Sequence, residues 1–84
     1  MEPLKIEEIP SGRYGMRTMR ITGFPGDELP MLRGLPNKDA KYRLFEMLDK
    51  RNNNTATNWG CGYGIYAVWF DDVAAYVNVG DSSD

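Results

Sequence analysis

The chain has 84 residues, a length typical of a single domain spanning residues 1–84, and its formal net charge is −2. It contains no histidine and one cysteine, Cys61, which excludes Ser-His-Asp and Cys-His nucleophile pairs, imidazole-dependent zinc sites and thiolate metal sites. Carboxylates still leave acid–base chemistry and Mg²⁺ or Ca²⁺ binding open. The composition therefore favours a non-enzymatic protein without a catalytic residue, a metal or a cofactor.

The cysteine content and the distribution of apolar residues predict the compartment. A single thiol without a disulfide framework favours a reducing environment. The first ten residues are acidic and lack the apolar stretch of a secretory signal. The longest run without a charge, residues 52–70, is rich in Asn, Gly and Thr and could not span a membrane. We therefore expect a soluble cytoplasmic protein with no membrane partner.

The first half of the chain predicts two strands and a loop. Residues 4–9 have apolar side chains at 4, 6 and 9 and predict a short edge strand. Residues 14–24 predict a second strand, in which Gly15 or Gly23 marks a bulge. Residues 25–36 contain three prolines and two glycines and predict a connecting loop, apolar enough to fold back over one end of the core.

The most regular pattern predicts an amphipathic helix over residues 38–51. Asn37 is placed to cap its start, and Asn52 is placed to provide a left-handed exit at its end. One apolar stripe follows the helical repeat and should face the core: Ala40, Leu44, Met47 and Leu48.

Residues 63–79 predict a β-hairpin, because two β-branched and aromatic segments flank Asp71 and Asp72. A two-residue turn there places Phe70 opposite Val73, and a longer loop of even length keeps the same faces. One face then holds alternate residues of both strands: Ile65, Ala67, Trp69, Ala74, Tyr76 and Asn78. Residues 81–84 form a flexible acidic tail.

These elements predict an α+β fold: a small antiparallel sheet of three to four strands with one helix packed on one face, in the order (β)-β-α-β-β. One helix covers only one side of a sheet, so the second face should carry Trp69, Tyr76 and Ile65, with Tyr63 and Trp59 at its margin. Two states of this face remain open. Either residues 25–36 or the N-terminal segment cover it as a second small core, or it is an exposed binding surface.

Cys61 lies in the glycine-rich run of residues 60–64, which resembles neither a phosphate-binding loop nor a reactive thiol site. Phosphate loops lead from a strand into a helix, whereas this run leads into a strand. No Lys or Arg follows Arg51 to lower the pKa of the thiol. A structural role of the glycines is the favoured interpretation.

Two function classes follow from the charges and the aromatic residues. Residues 11–51 carry nine bases against five acids, and residues 52–84 carry four Asp and no base. A single-stranded nucleic-acid-binding domain would use the basic segment, with Arg13, Arg17 and Arg20, beside the aromatic residues of the sheet. The acidic total and the absence of bases in the hairpin argue against this alternative.

The preferred hypothesis is a small protein-interaction module, a regulator or stoichiometric inhibitor that occupies a surface of a larger protein. Phages and mobile elements encode small inhibitors of similar size and composition, which is an analogy only. Homodimerisation through the hairpin is compatible with this hypothesis. The predicted partner-binding residues are aromatic and acidic side chains of the C-terminal part: Trp59, Tyr63, Ile65, Trp69, Asp71, Asp72 and Tyr76.

Overall fold

The computed structural model describes residues 3–10, 16–53 and 65–80, which form four strands and two helices. The elements are β1 (Lys5–Ile9), β2 (Met16–Thr22), α1 (Glu28–Arg33), α2 (Asn37–Arg51), β3 (Ile65–Phe70) and β4 (Ala75–Gly80). The strands form one antiparallel sheet in the order β1-β2-β4-β3. The predicted α+β class with one main helix is confirmed.

The core lies between one face of the sheet and both helices. The α2 stripe is buried as predicted, with Ala40, Leu44 and Leu48 fully inaccessible and Met47 nearly so. It packs in one cluster with alternate residues of the central strands and with α1: Met19, Ile21, Val77, Val79, Leu29 and Leu32. Because alternate residues of each strand point into this cluster, the residues between them form the opposite face of the sheet.

The segment of residues 25–36 is not only a loop, since it contains α1. Pro30 is the third residue of α1 and lies in the first turn, where a backbone N–H has no intrahelical acceptor and proline removes no hydrogen bond. The prediction of a loop over the whole segment is therefore wrong at α1, because a proline in the first turn is compatible with a helix. The expected return of the segment onto the core is confirmed, because Leu29 and Leu32 are buried.

The two ends of α2 differ from the expectation. Pro36 occupies the N-cap position, with φ −55° and ψ 149°, so Asn37 is the first helical residue and does not cap. At the other end Asn53, not Asn52, adopts the positive φ of 55°. The side chain of Asn52 instead binds the backbone of Leu4, accepting from its N–H at 3.2 Å and donating to its carbonyl at 2.9 Å. These two bonds connect the residue before β1 to the residue after α2.

The hairpin keeps Trp69 and Tyr76 on one face, as predicted, but its connection is longer and the predicted alternation is interrupted between Ile65 and Ala67. Phe70 pairs with Ala75, so the loop has four residues and not two. Because the loop is longer by an even number of residues, Trp69 and Tyr76 stay on one face. Asp71 organises the loop, because its carboxylate accepts from the backbone N–H groups of Val73 at 2.9 Å and Ala74 at 2.8 Å.

Among the described residues, a register irregularity of the sheet lies in β3, between Ile65 and Ala67, and the predicted bulge at Gly23 is wrong. Gly23 follows the end of β2 with φ +92°, a value that favours glycine, and Gly15 lies outside the described residues. The bulge places the backbone of Ile65 opposite Val79. Neither described helix is long and apolar enough to cross a bilayer.

Candidate functional site

A row of four side chains crosses the sheet face opposite the helices. The register places Glu7 of β1 opposite Arg20 of β2, Arg20 opposite Tyr76 of β4, and Tyr76 opposite Trp69 of β3. Each strand therefore contributes one residue to the row. We call the set Glu7, Arg20, Tyr76 and Trp69, together with Asp71 from the hairpin loop, the aromatic row.

Hydrogen bonds link the polar members of the aromatic row. Arg20 donates from its Nη1 to Glu7 Oε1 at 3.0 Å and from its Nε to the Tyr76 hydroxyl at 3.4 Å. The Tyr76 hydroxyl in turn donates to Asp71 Oδ2 at 2.5 Å. The Tyr76 ring is thus held from its polar end by a cation on one side and a carboxylate on the other, which restricts its rotamers.

These contacts shift the pKa values of the two charged neighbours of Tyr76. The hydrogen bond from the Tyr76 hydroxyl, followed by that from the Val73 N–H, lowers the pKa of Asp71. The hydrogen bonds to Tyr76 and to Glu7 raise the pKa of Arg20. Both groups are therefore ionised near neutral pH, and the row has a defined charge pattern.

Trp69 completes the row at an edge strand. Its indole stacks on the Tyr76 ring with centroids 5.6 Å apart and planes 8° apart, yet Trp69 remains 42% exposed. Residues 25–36 do not form a second core with it, because their buried side chains, Leu29 and Leu32, join the cluster on the helical side. This face is therefore exposed at Trp69, whereas Thr18 and Asn78, which lie on the same face, are buried.

A buried polar pair lies beside the row. The Thr18 hydroxyl donates to Asn78 Oδ1 at 2.6 Å, and the two residues are only 3% and 6% exposed. Thr18 precedes Arg20 by two positions on β2, and Asn78 follows Tyr76 by two positions on β4. A satisfied buried hydrogen bond across the two central strands fixes their register next to the aromatic row. Sequence reasoning missed this pair, because the partners are 60 residues apart.

The structure brings together some of the predicted partner-binding residues. Trp69, Tyr76 and Asp71 meet in the row, while Asp72 lies in the same loop with a 93% exposed carboxylate, 3.4 Å from Arg33 Nη1. Trp59, Tyr63 and the side chain of Ile65 lie outside the described residues, as do Cys61 and the tail of residues 81–84. Glu7 and Arg20 were not predicted as partner-binding residues, and only the pairing of β1 with β2 places them beside Tyr76.

The arginines named for nucleic-acid binding are paired with acids where the structure describes them. Arg17 binds Glu8 through two nitrogens, Nη2 at 2.9 Å and Nε at 3.3 Å. Arg20 binds Glu7 and Tyr76, as described above. Arg13 lies outside the described residues. The glutamates of β1 thus neutralise both arginines of β2, which weakens the basic surface that a phosphate backbone needs.

A second exposed aromatic residue lies on the helical side. Tyr42, 61% exposed, and Met31, 45% exposed, border a groove of about 540 Å³ between α1 and α2. Lys41 Nζ lies 5.9 Å from the centre of the Tyr42 ring, so this ring already has a cation of its own chain over it. Tyr42 is therefore a useful comparison for Trp69.

No protein-family model, curated protein or solved structure matches the chain. Among residues 3–10, 16–53 and 65–80, no three acidic, Cys or His side chains are grouped to hold a metal ion. The function is accordingly inferred from the geometry of the aromatic row.

Proposed function

We propose that this protein is a small non-enzymatic interaction module that binds a larger protein through the aromatic row, acting as a regulator or stoichiometric inhibitor. The observation that carries the proposal is the stacked but exposed Trp69 on a sheet face opposite both helices. Trp and Tyr are enriched among the residues that dominate binding energy at protein interfaces.

Preorganisation supports the same function. Binding costs side-chain entropy, about 0.5–1.5 kcal/mol for each immobilised flexible side chain. In the aromatic row this ordering is complete before a partner arrives, because Arg20 and Asp71 hold the Tyr76 hydroxyl and Tyr76 packs against Trp69. A rigid aromatic surface with ionised groups at its border is suited to tight and selective protein binding.

The test compares Trp69→Ala with Tyr42→Ala, which is a control because Tyr42 is also an exposed aromatic side chain but lies on the helical side. Each of the three proteins is used to capture binding proteins from the native host. We then purify those that bind the wild type and Tyr42→Ala but not Trp69→Ala, and measure their affinities. Trp69→Ala should weaken binding about 30-fold, corresponding to about 2 kcal/mol for an interface anchor. Its melting temperature should stay close to that of the wild type.

Two results would contradict the proposed interface. One is a set of captured proteins that is the same for the wild type and Trp69→Ala. The other is a large loss of stability in Trp69→Ala without a specific loss of binding, which is the behaviour of a core residue.

One observation favours the alternative of single-stranded nucleic-acid binding. Aromatic rings on a sheet face next to an arginine, as at Trp69, Tyr76 and Arg20, are also the means by which unpaired bases are held. The alternative ranks second because Glu7 and Glu8 pair with the arginines of β2.

A further inference from the structure

The Trp69 indole has one packed face and an exposed remainder. Tyr76 stacks against it in a nearly parallel arrangement, 8° between planes, and 42% of the residue is still exposed. β3 lies at the edge of the described sheet, so no further described strand places a side chain beyond Trp69. A partner therefore meets an aromatic face whose orientation is already set.

Carboxylates follow directly in the hairpin loop. Asp71 is two residues after Trp69, and its pKa is lowered by the hydrogen bonds from the Tyr76 hydroxyl and from backbone N–H groups. Asp72 is next, and its carboxylate is 93% exposed. Residues 65–80 contain no Lys or Arg. The hairpin that carries the indole therefore has a negative charge, which attracts a cation and repels an anionic group.

Two cations of the chain contact the residues around the indole, and both already have partners. Arg20 is bound to Glu7 and to the Tyr76 hydroxyl. Arg33 contacts Asp72 at 3.4 Å, but this pair is so exposed that an arginine of a partner can compete for the Asp72 carboxylate. On the helical side Tyr42 has Lys41 near its ring, and in the described part of the chain this is the one cation–π contact. Trp69 is the stronger cation–π acceptor of the two ring types, and no described cation lies over it.

Resting on the proposed function, we infer that the partner presents an arginine side chain to the exposed face of the Trp69 indole, with Asp71 and Asp72 as its counter-charges. A guanidinium is planar, stacks on an aromatic ring and donates to carboxylates from its edge. Arginine thus uses both features of the site together, whereas an apolar anchor would use only the ring.

The experiment uses peptides as probes. Random dodecapeptides displayed on phage are selected on the immobilised full chain, and those retained by Tyr42→Ala but lost with Trp69→Ala are synthesised. Each arginine is then replaced in turn by citrulline, which keeps the shape and removes the charge. For one arginine the wild type should bind the original peptide about tenfold more tightly than the citrulline peptide. Asp72→Asn should reduce this preference about twofold, as for an exposed charge pair.

The possible results separate the inference from the proposed function. If peptides depend on Trp69 but bind equally well with citrulline at every position, the arginine inference is wrong and the interface stands. If no selected peptide distinguishes Trp69→Ala from Tyr42→Ala, the interface itself is contradicted and the inference fails with it. A citrulline effect that persists in Trp69→Ala would also overturn the inference.

Discussion

Tyr76 shows how much of the candidate site depends on one hydroxyl group. The Tyr76 hydroxyl accepts a hydrogen bond from Arg20 and donates one to Asp71. The ring that carries this hydroxyl stacks on Trp69. Phenylalanine would keep the ring and lose both hydrogen bonds. At this position tyrosine is therefore both an aromatic support and the link between a cation and a carboxylate.

Tyr76→Phe should raise the pKa of Asp71 towards its ordinary value, because the hydroxyl is the largest cause of the lowered value. The pKa is measured by following the Asp71 carboxyl carbon through a pH titration by NMR. A lowered pKa in the folded state adds stability that is lost as the pH falls through it, so the variant should lose less stability at acid pH. Tyr42→Phe is the control, and an unchanged Asp71 pKa in Tyr76→Phe would disprove the role given to the hydroxyl.

α2 is the element on which the core depends most, since its buried stripe faces the sheet. Leu48→Ala removes a fully buried side chain and should cost about 2–4 kcal/mol of unfolding free energy through lost burial and a cavity. Chemical denaturation measures the change. Tyr42→Ala on the exposed side of the same helix should change the free energy by less than about 0.5 kcal/mol. Equal effects of the two substitutions would contradict the helix orientation.

An ion pair joins the first turn of α1 to the last turn of α2. Arg51 donates from two nitrogens to the two oxygens of Glu28, and its side chain is 7% exposed. The hydrogen bond from Arg51 is the largest cause of the lowered Glu28 pKa, and the reciprocal bond raises the pKa of Arg51. Each charge also lies at the helix end where the backbone dipole favours it.

Glu28→Gln should destabilise the protein at pH 7 by about 1–3 kcal/mol, because it leaves a nearly buried guanidinium without its counter-charge. The wild type gains this stability above the unfolded-state pKa of glutamate, near 4.5, and loses it as the pH falls through the lower folded-state value. Unfolding curves between acid and neutral pH should therefore converge for the two proteins. Glu46→Gln, which breaks an exposed pair 3.8 Å long, serves as the control. A constant difference at all pH values would contradict this assignment.

At the scale of the whole molecule, the charge distribution separates the two candidate functions. We expect no retention of labelled single-stranded oligonucleotides at low salt, because Glu7 and Glu8 neutralise the arginines of β2. Gel-shift assays at micromolar protein test this expectation. Retention that is lost in high salt, in Arg17→Glu and in Trp69→Ala would reverse the ranking of the two functions.

Local patterns predicted much of the fold, because they repeat within a few residues. The i, i+4 spacing placed Leu44 and Leu48 in the core, and the alternation along the hairpin placed Trp69 beside Tyr76. Pairing over long separations was not predictable. In the sequence Arg17 and Arg20 resemble a basic surface, and only the pairing of β2 with β1 places glutamates beside them. The high proline content of residues 25–36 led to the prediction of a loop where α1 forms.

The pairing of β2 with β4 has a consequence for how the chain is made. Met19 and Ile21 of β2 lie on the core face, and their neighbours in the sheet, Val77 and Ala75, are synthesised more than fifty residues later. At about 5–20 residues per second, the core face of β2 has no β4 neighbours for about 3–12 s of synthesis. The central ladder is therefore completed only after translation has passed β4, and until then Met19 and Ile21 lack the sheet neighbours that cover them in the folded protein.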